Sequence, residues 1–301
     1  MYRPKYMSFK EIDVLDISEK KIYYSNLREQ CKGKGKSLCK WSNFVMSRGI
    51  APFLRSFPIE IRGEENLPQN DSVLVVSNHS NSHDGILANE IFEKLGRPAT
   101  VLAALDGLGI LGKTSFLMGN ATFIRRDNAS SKEKGILNFC SRILEGADGI
   151  IFGESTWNLH PILPMQKLKA GVAHISLITG KPVLPMIMEY IEVPEICKRE
   201  SELYSKCIIV FGEPITMHIE DSLFSQTAMI QEKMETMRRN LWNEHHIIKD
   251  KLADINPEIY ENHLNIKKNK AFGFKYNTAW ESQFLLQKDN EFDKVKFRDS
   301  E

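Results

Sequence analysis

The sequence predicts an α/β fold in which a mixed sheet is flanked by helices. Short apolar segments rich in Val and Ile alternate with segments of helical periodicity over most of the chain, and this alternation is typical of α/β proteins. Polar motifs directly follow several of the apolar segments, as they do where a site forms at one edge of a sheet. With 301 residues, 42% of them hydrophobic, the chain can form one large domain with extensions.

Six strands are predicted, each a short apolar run that ends near glycine or a polar residue. The first alternates isoleucine with charged residues, and the third is a candidate for a buried strand because it contains no charge. In chain order the predicted strands cover residues 59–63, 71–77, 100–104, 149–152, 183–188 and 207–212.

Helices are predicted between these strands and after them. Residues 85–95 carry apolar side chains on one face, and Asp84 before them is a candidate N-cap. Further helices are expected over 130–144, over 170–179 before Gly180, and over the charged stretch 225–254, which we expect to lie across the sheet. Residues 41–57 are apolar but interrupted by glycine and proline, which is consistent either with packing on the domain or with lying on a membrane.

The hexamer His79-Ser80-Asn81-Ser82-His83-Asp84 follows the second predicted strand. A histidine can accept a proton near neutral pH, and a nearby carboxylate can hold the imidazole in the correct tautomer and stabilise its charged form. Such a dyad can deprotonate a substrate hydroxyl and direct it against an acyl carbonyl.

The pattern Asn78-His79-x4-Asp84 resembles the signature of the glycerolipid acyltransferases, which acylate glycerol phosphate and lysophospholipids. Further blocks follow in the family's order and extend the resemblance over about residues 60 to 215. The block at 119–126 resembles the family's "FIRR" segment, 150–156 stands where the family has Phe-Pro-Glu-Gly-Thr-Arg, 169–171 resembles the lysine and glycine that follow, and 181–186 resembles the strand with an inner proline.

The resemblance implies an O-acyltransferase that takes its acyl group from acyl-CoA or acyl carrier protein, without a metal or another cofactor. His79 would be the general base and Asp84 its orienting carboxylate. The acceptor, a lysophospholipid or glycerol phosphate, would be bound through Arg125 and Arg126, since arginine binds phosphate oxygens bidentately. Glu154 would order the site, and Ser155 and Thr156 would offer hydroxyl or backbone donors.

Three departures from the family pattern bear on the acceptor. Gly153 and Ser155 replace the proline and the glycine on either side of Glu154, so the shape of this turn is open. Trp157 stands where the family has a phosphate-binding arginine. The second block also has one more residue than the common spacing. We therefore expect either that Arg125 and Arg126 bind the phosphate alone or that the acceptor is a different molecule.

Three parts of the chain are expected: a basic N-terminal extension (1–40), an acyltransferase domain (41–245), and a C-terminal helix end with a polar tail (246–301). The formal net charge of +1 gives no global field to attract nucleic acid. The basic cluster of the extension, Lys32 to Lys40, either contacts anionic lipid headgroups or is a solvated segment.

Cysteine usage and hydropathy bear on the compartment. The five cysteines show no CxxC spacing and are expected to be reduced thiols of a cytosolic protein. No uncharged apolar run approaches the ~18 residues that span a bilayer. We expect a cytoplasmic protein that binds peripherally to the inner face of the cell membrane, because its acceptors are lipids.

Two alternatives remain open from the sequence. His79 and His83 have the i, i+4 spacing of metal ligands beside Asp84, and a metal-dependent hydrolase would recruit His160, His174 or His218 as further ligands. The altered third block is instead consistent with an inactive, lipid-binding relative. Serine hydrolysis is disfavoured because Glu154-Ser155-Thr156 lacks the glycines of a nucleophile elbow.

Overall fold

The computed structural model describes residues 6–33, 57–81, 84–105, 121–125, 128–160, 162–247 and 256–269. Seven strands form one mixed sheet in the order β1-β7-β6-β2-β5-β3-β4 once the strands are numbered along the chain: β1 Ile59–Arg62, β2 Leu74–Ser77, β3 Ala99–Ala104, β4 Ala121–Ile124, β5 Asp148–Phe152, β6 Val183–Glu192 and β7 Tyr204–Phe211. Strands β2 to β6 are parallel, whereas β7 is antiparallel to β6 and parallel to β1. The predicted fold class is therefore confirmed.

Helices cover both faces of this sheet. In the described residues they are α1 Phe9–Asp13, α2 Ile17–Cys31, α3 Asp84–Lys94, α4 Ala129–Leu144, α5 Gly171–Thr179, α6 Leu223–Glu244 and α7 Pro257–Asn269.

The central strand β2 separates two hydrophobic cores. Its successive side chains point to opposite faces, so Leu74 and Val76 join a core with α2, α4, α5 and α6, while Val73 and Val75 join a core with α3. All four of these side chains are fully buried. A strand that is buried on both faces fixes its carboxyl end firmly, and the motif that begins at Asn78 follows at that end.

Helices α1 and α2 were not predicted, although their N-terminal signals are present in the sequence. Ser8 with Glu11 and Asp16 with Glu19 form capping boxes, in which the cap side chain and the third helical residue satisfy each other's backbone N–H groups. Helix α2 buries Tyr24 and other side chains in the core that contains α4 and α5. Strand β4 and helix α7 were also not predicted.

Helix α6 ends ten residues before its predicted end at Asp254. His246 adopts a left-handed conformation with φ of 53°, and the N–H of Ile247 bonds to the carbonyl of Trp242 at 2.8 Å. This left-handed residue stops the helix. Charged residues continue in the sequence beyond His246. The sequence prediction of a helix to Asp254 followed these residues and was therefore wrong.

The two segments for which membrane binding was one of two alternatives lie mainly outside the described residues, namely the basic cluster from residue 34 onward and residues 41–56. Phe57, which ends the second segment, is buried against Tyr190 and Tyr204. Among the described helices, none is both long and apolar enough to cross a bilayer.

Candidate active site

The candidate site lies at the carboxyl edge of the sheet, where β2 and β5 end side by side. Ser77 at the end of β2 pairs with Phe152 at the end of β5. Because the two strands are parallel and adjacent, the residues that follow them meet at one place. The backbone N–H of His79 accordingly donates a 2.7 Å hydrogen bond to Oε1 of Glu154.

His79 and Asp84 form the dyad predicted from the sequence. Nδ1 of His79 lies 2.8 Å from Oδ2 of Asp84, whose side chain is fully buried, while 19% of the His79 side chain is exposed. The imidazole stacks on the ring of Phe152 with 4.5 Å between centroids and meets Trp157 edge-on at 6.1 Å. With Nδ1 bonded to the carboxylate, Nε2 is the nitrogen left to exchange protons with a substrate.

The Asp84 carboxylate is held by four donors. Oδ2 accepts the His79 ring nitrogen and also the backbone N–H groups of Ser80 and Asn81, at 2.8 and 2.9 Å. Oδ1 accepts the hydroxyl of Tyr190 at 2.5 Å. These backbone donors precede helix α3, so the alternative role of Asp84 as an N-cap is not what the structure shows. Its carboxylate organises the loop before the helix.

Asn78, the first residue of the motif, fastens this loop to the neighbouring strand β6. Its amide oxygen accepts the N–H of Met188 at 2.8 Å, and its amide nitrogen donates to the carbonyl of Met188 at 3.0 Å and to Oγ of Ser80 at 3.0 Å. The amide thereby continues the pairing between the two strands beyond the last residue of β2.

Glu154 joins two loops of the site. Oε1 accepts the N–H of His79 and Oε2 that of Gln166 at 2.6 Å, while the N–H of Asn158 bonds back to the carbonyl of His79 at 2.6 Å. Burial raises the pKa of Glu154 to about 7, although the two backbone hydrogen bonds and the positive charge of Arg238 oppose that shift. The carboxylate positions the histidine through the main chain, which is consistent with the ordering role expected of it.

The turn around Glu154 accounts for Gly153, whereas nothing in the turn favours Ser155 over the family's glycine. Ser155, where the family has glycine, has φ of 64°, a left-handed conformation that glycine adopts without strain. Gly153, where the family has proline, donates its N–H to the carbonyl of Ser77 at 3.2 Å, which a proline could not do. A Cβ at Gly153 would also meet Cδ2 of Leu168 at 2.7 Å.

A buried ion pair from helix α6 supports the same loop. Nε of Arg238 lies 2.6 Å from Oε2 of Glu189, and the two side chains are only 7% and 2% exposed. The guanidinium also donates to the carbonyl of Pro164 at 2.5 Å and to Oγ of Ser80 at 3.4 Å, and it lies over the ring of Trp242. Neither Arg238 nor Glu189 was singled out from the sequence, because nothing local distinguishes them from surface charges.

The remaining predicted substrate-binding residues are less closely grouped. Arg125 is exposed and directly follows β4 at the same edge of the sheet, but β4 is three strand spacings from β2, or about 14 Å. Arg126 lies outside the described residues. Ser155 is exposed and Thr156 half-buried beside Glu154, and Trp157 is buried next to the His79 ring.

The metal-site alternative gains no support from the histidines that the structure describes. His174 is buried in the core next to Tyr24, and burial lowers the pKa of His174 to about 3. Nδ1 of His160 accepts the N–H groups of Ile162 and Leu163. Within the described ranges there is no group of three or more His, Cys, Asp or Glu side chains suited to a metal ion, and His83 lies outside them.

Comparison with protein families finds a match over the region that contains the motif blocks. The family model described as Acyltransferase matches residues 58–189. Among curated proteins no match was found. This chain is similar to a solved structure, the 1-acyl-sn-glycerophosphate (LPA) acyltransferase PlsC from Thermotoga maritima, with a TM-score of 0.48 and 17% sequence identity. The alignment covers 77% of this chain and 86% of that chain. At this TM-score and identity the match carries no argument about activity. Residues 58–189, which carry His79, Asp84 and Glu154, are thus similar to the acyltransferase family.

Proposed function

We propose that this protein transfers a fatty acyl group from a thioester to a hydroxyl of a lysophospholipid or glycerol phosphate acceptor. The observation that carries the proposal is the 2.8 Å contact between Nδ1 of His79 and the buried Asp84 carboxylate, inside a segment that matches the acyltransferase family. The contact fixes the tautomer in which Nε2 can accept a proton.

In the proposed reaction, Nε2 of His79 takes the proton of the acceptor hydroxyl. The acceptor oxygen attacks the thioester carbonyl, a C–O bond forms and the C–S bond breaks. The leaving thiolate then takes the proton back from the imidazolium, so the enzyme ends unchanged. Asp84 keeps the ring oriented and stabilises its positive charge, and neither a covalent enzyme intermediate nor a metal or other cofactor takes part.

The acceptor is expected to lie along the carboxyl edge of the sheet, with its hydroxyl at His79 and its anionic group toward Arg125 and Arg126. The wall next to the imidazole is apolar, since Phe152 stacks on it and Trp157 meets it edge-on. An acceptor with an apolar portion near its reactive hydroxyl, such as a lysophospholipid, suits this wall better than bare glycerol phosphate. A peripheral site on the cytoplasmic side of a membrane would give access to such acceptors.

The test is an assay of thiol release by the purified full-length chain, with acyl-CoA and acyl-loaded carrier protein as donors and with lysophosphatidate, other lysophospholipids and glycerol phosphate as acceptors. His79→Gln should reduce acceptor-dependent thiol release by about 10²- to 10⁴-fold, the usual contribution of a general base. His218→Ala is the matched control, because this histidine is largely exposed beside Glu220 and should retain activity.

Two results, one from this assay and one from this assay together with a lipid-binding measurement, would overturn the proposal. One is acceptor-dependent transfer by a folded His79→Gln variant at the wild-type rate. The other is binding of the lipids by the wild-type protein without thiol release from either donor, which would favour an inactive lipid-binding relative.

A further inference from the structure

We propose that Tyr190 is a positioning residue for the acid–base dyad of His79 and Asp84. The three side chains form a chain of hydrogen bonds in the order Tyr190, Asp84, His79. Its hydroxyl donates to Oδ1 of Asp84 at 2.5 Å, and that is the oxygen not used by His79. Tyr190 lies in β6, one residue beyond the segment that matches the family model. The inference rests on the proposed function, since it assigns a role within the same reaction.

The position of the Tyr190 hydroxyl is fixed by the packing of its ring. The Tyr190 ring is packed edge-on against Phe57 with 5.7 Å between centroids and lies 5.0 Å from the ring of Tyr204, which comes from the antiparallel neighbour β7. The residue is only 6% exposed. Burial, together with the negative charge of Asp84, raises the pKa of Tyr190 well above its usual value, so the phenol keeps its proton and remains a donor.

The division of donors between the two carboxylate oxygens gives Tyr190 its role. Oδ2 receives Nδ1 of His79 and two backbone N–H groups, all from the loop that precedes helix α3. Oδ1 accepts a hydrogen bond from the hydroxyl of Tyr190 in strand β6, which is 106 residues away in the sequence. A carboxylate held at both oxygens cannot rotate away from the imidazole, and the tyrosine also draws off part of its negative charge.

Loss of this hydroxyl should have two consequences. The carboxylate keeps its charge but is less firmly oriented, so kcat should fall about tenfold while the KM values for acceptor and donor stay near wild type. With one donor fewer, Asp84 also becomes a stronger acceptor for the Nδ1–H proton of His79. The other charged groups near this loop, Glu154, Glu189 and Arg238, are unchanged by the substitution.

Tyr190→Phe tests the role, and Tyr204→Phe is a matched control from the same aromatic cluster. Tyr204 accepts a 2.8 Å hydrogen bond from the side chain of Asn81 in the same loop but does not bond to the carboxylate. Both changes remove one buried hydroxyl and keep the ring, so a purely structural effect should appear in both variants.

The first readout is the proton NMR signal of the His79 Nδ1–H group, assigned by its loss in His79→Gln. We expect Tyr190→Phe to move this signal downfield and Tyr204→Phe to leave it in place. A fluorinated tyrosine at position 190, which is a stronger donor, should move it in the opposite direction and provides a second variant if Tyr190→Phe does not fold.

The second readout is kcat and KM for thiol release. Equal NMR shifts and equal losses of kcat in the two phenylalanine variants would overturn the role of Tyr190, and so would an unmoved signal with unchanged kcat in Tyr190→Phe. If the wild-type protein transfers no acyl group, the proposed function fails, but the NMR series still decides whether Tyr190 is coupled to the dyad.

Discussion

Replacing Asp84 by Asn separates the catalytic from the structural role of this carboxylate. An asparagine keeps the size of the side chain, and its oxygen can face the three donors of the loop while its amide nitrogen faces Tyr190. The negative charge beside the imidazole is lost. We expect kcat to fall by about 10³- to 10⁴-fold, the magnitude seen when a histidine's orienting aspartate becomes an amide.

The same substitution should lower stability, because Asp84 is fully buried and accepts four hydrogen bonds. Hydrogen bonds to charged groups contribute about 1.5–3 kcal/mol each, but the amide preserves most of these contacts, so a net cost of about 1–3 kcal/mol is expected. Urea unfolding measures this cost, and thiol release with a saturating acceptor measures kcat.

Asp148→Asn provides the matched control for a buried charge. Asp148 begins strand β5, at the edge of the sheet opposite to Glu154, and is 1% exposed. It accepts Nε and Nη2 of Arg97 at 2.6 and 2.8 Å and the N–H of Val73 at 2.9 Å. This variant should lose stability to at least a similar degree, because it removes the carboxylate charge that forms the ion pair with Arg97, but keep its kcat.

The comparison has a clear refuting result. If Asp84→Asn and Asp148→Asn lose the same stability and both retain wild-type kcat, Asp84 only organises the loop and the acid–base dyad is not the catalytic unit. A fall in kcat of the same size in both variants would instead show that the activity assay reports on loss of folded protein.

Two further predictions concern the turn after β5. Ser155→Gly should raise the free energy of unfolding by about 0.5–1 kcal/mol, because the left-handed strain of about 1–2 kcal/mol exceeds the entropy that a glycine adds to the unfolded chain. Ser155→Val should lower the free energy of unfolding. Urea unfolding of both variants checks these signs, and a glycine variant less stable than wild type would contradict the prediction. Burial raises the pKa of Glu154 from 4.5 to about 7, so the folded state holds this proton more tightly than the unfolded chain, and the resulting stability is present below pH 4.5 and lost as the pH rises through 7. Between pH 5 and pH 8 the wild type should therefore lose roughly 2–3 kcal/mol more than Glu154→Gln, and equal losses would show that Glu154 is ionised throughout.

The sequence determined the fold class, most of the elements and the location of the candidate site. Short apolar runs rich in valine, such as 73–76, favour a buried strand, and helical periodicity marked α4 and α5 to within one residue. The meeting of His79 with Glu154 could also be anticipated, because each follows a strand of a parallel sheet and the carboxyl ends of such strands share one edge.

Other features depended on contacts that the sequence does not encode locally. Tyr190 and Arg238 reach the motif loop across 106 and 158 residues, and each is an ordinary residue of its own strand or helix until the sheet order places it there. The left-handed conformation of Ser155 and of His246 likewise runs against local preference. Only tertiary packing decided these features, because the free energy that fixes them comes from burial and from long-range hydrogen bonds rather than from residue propensity.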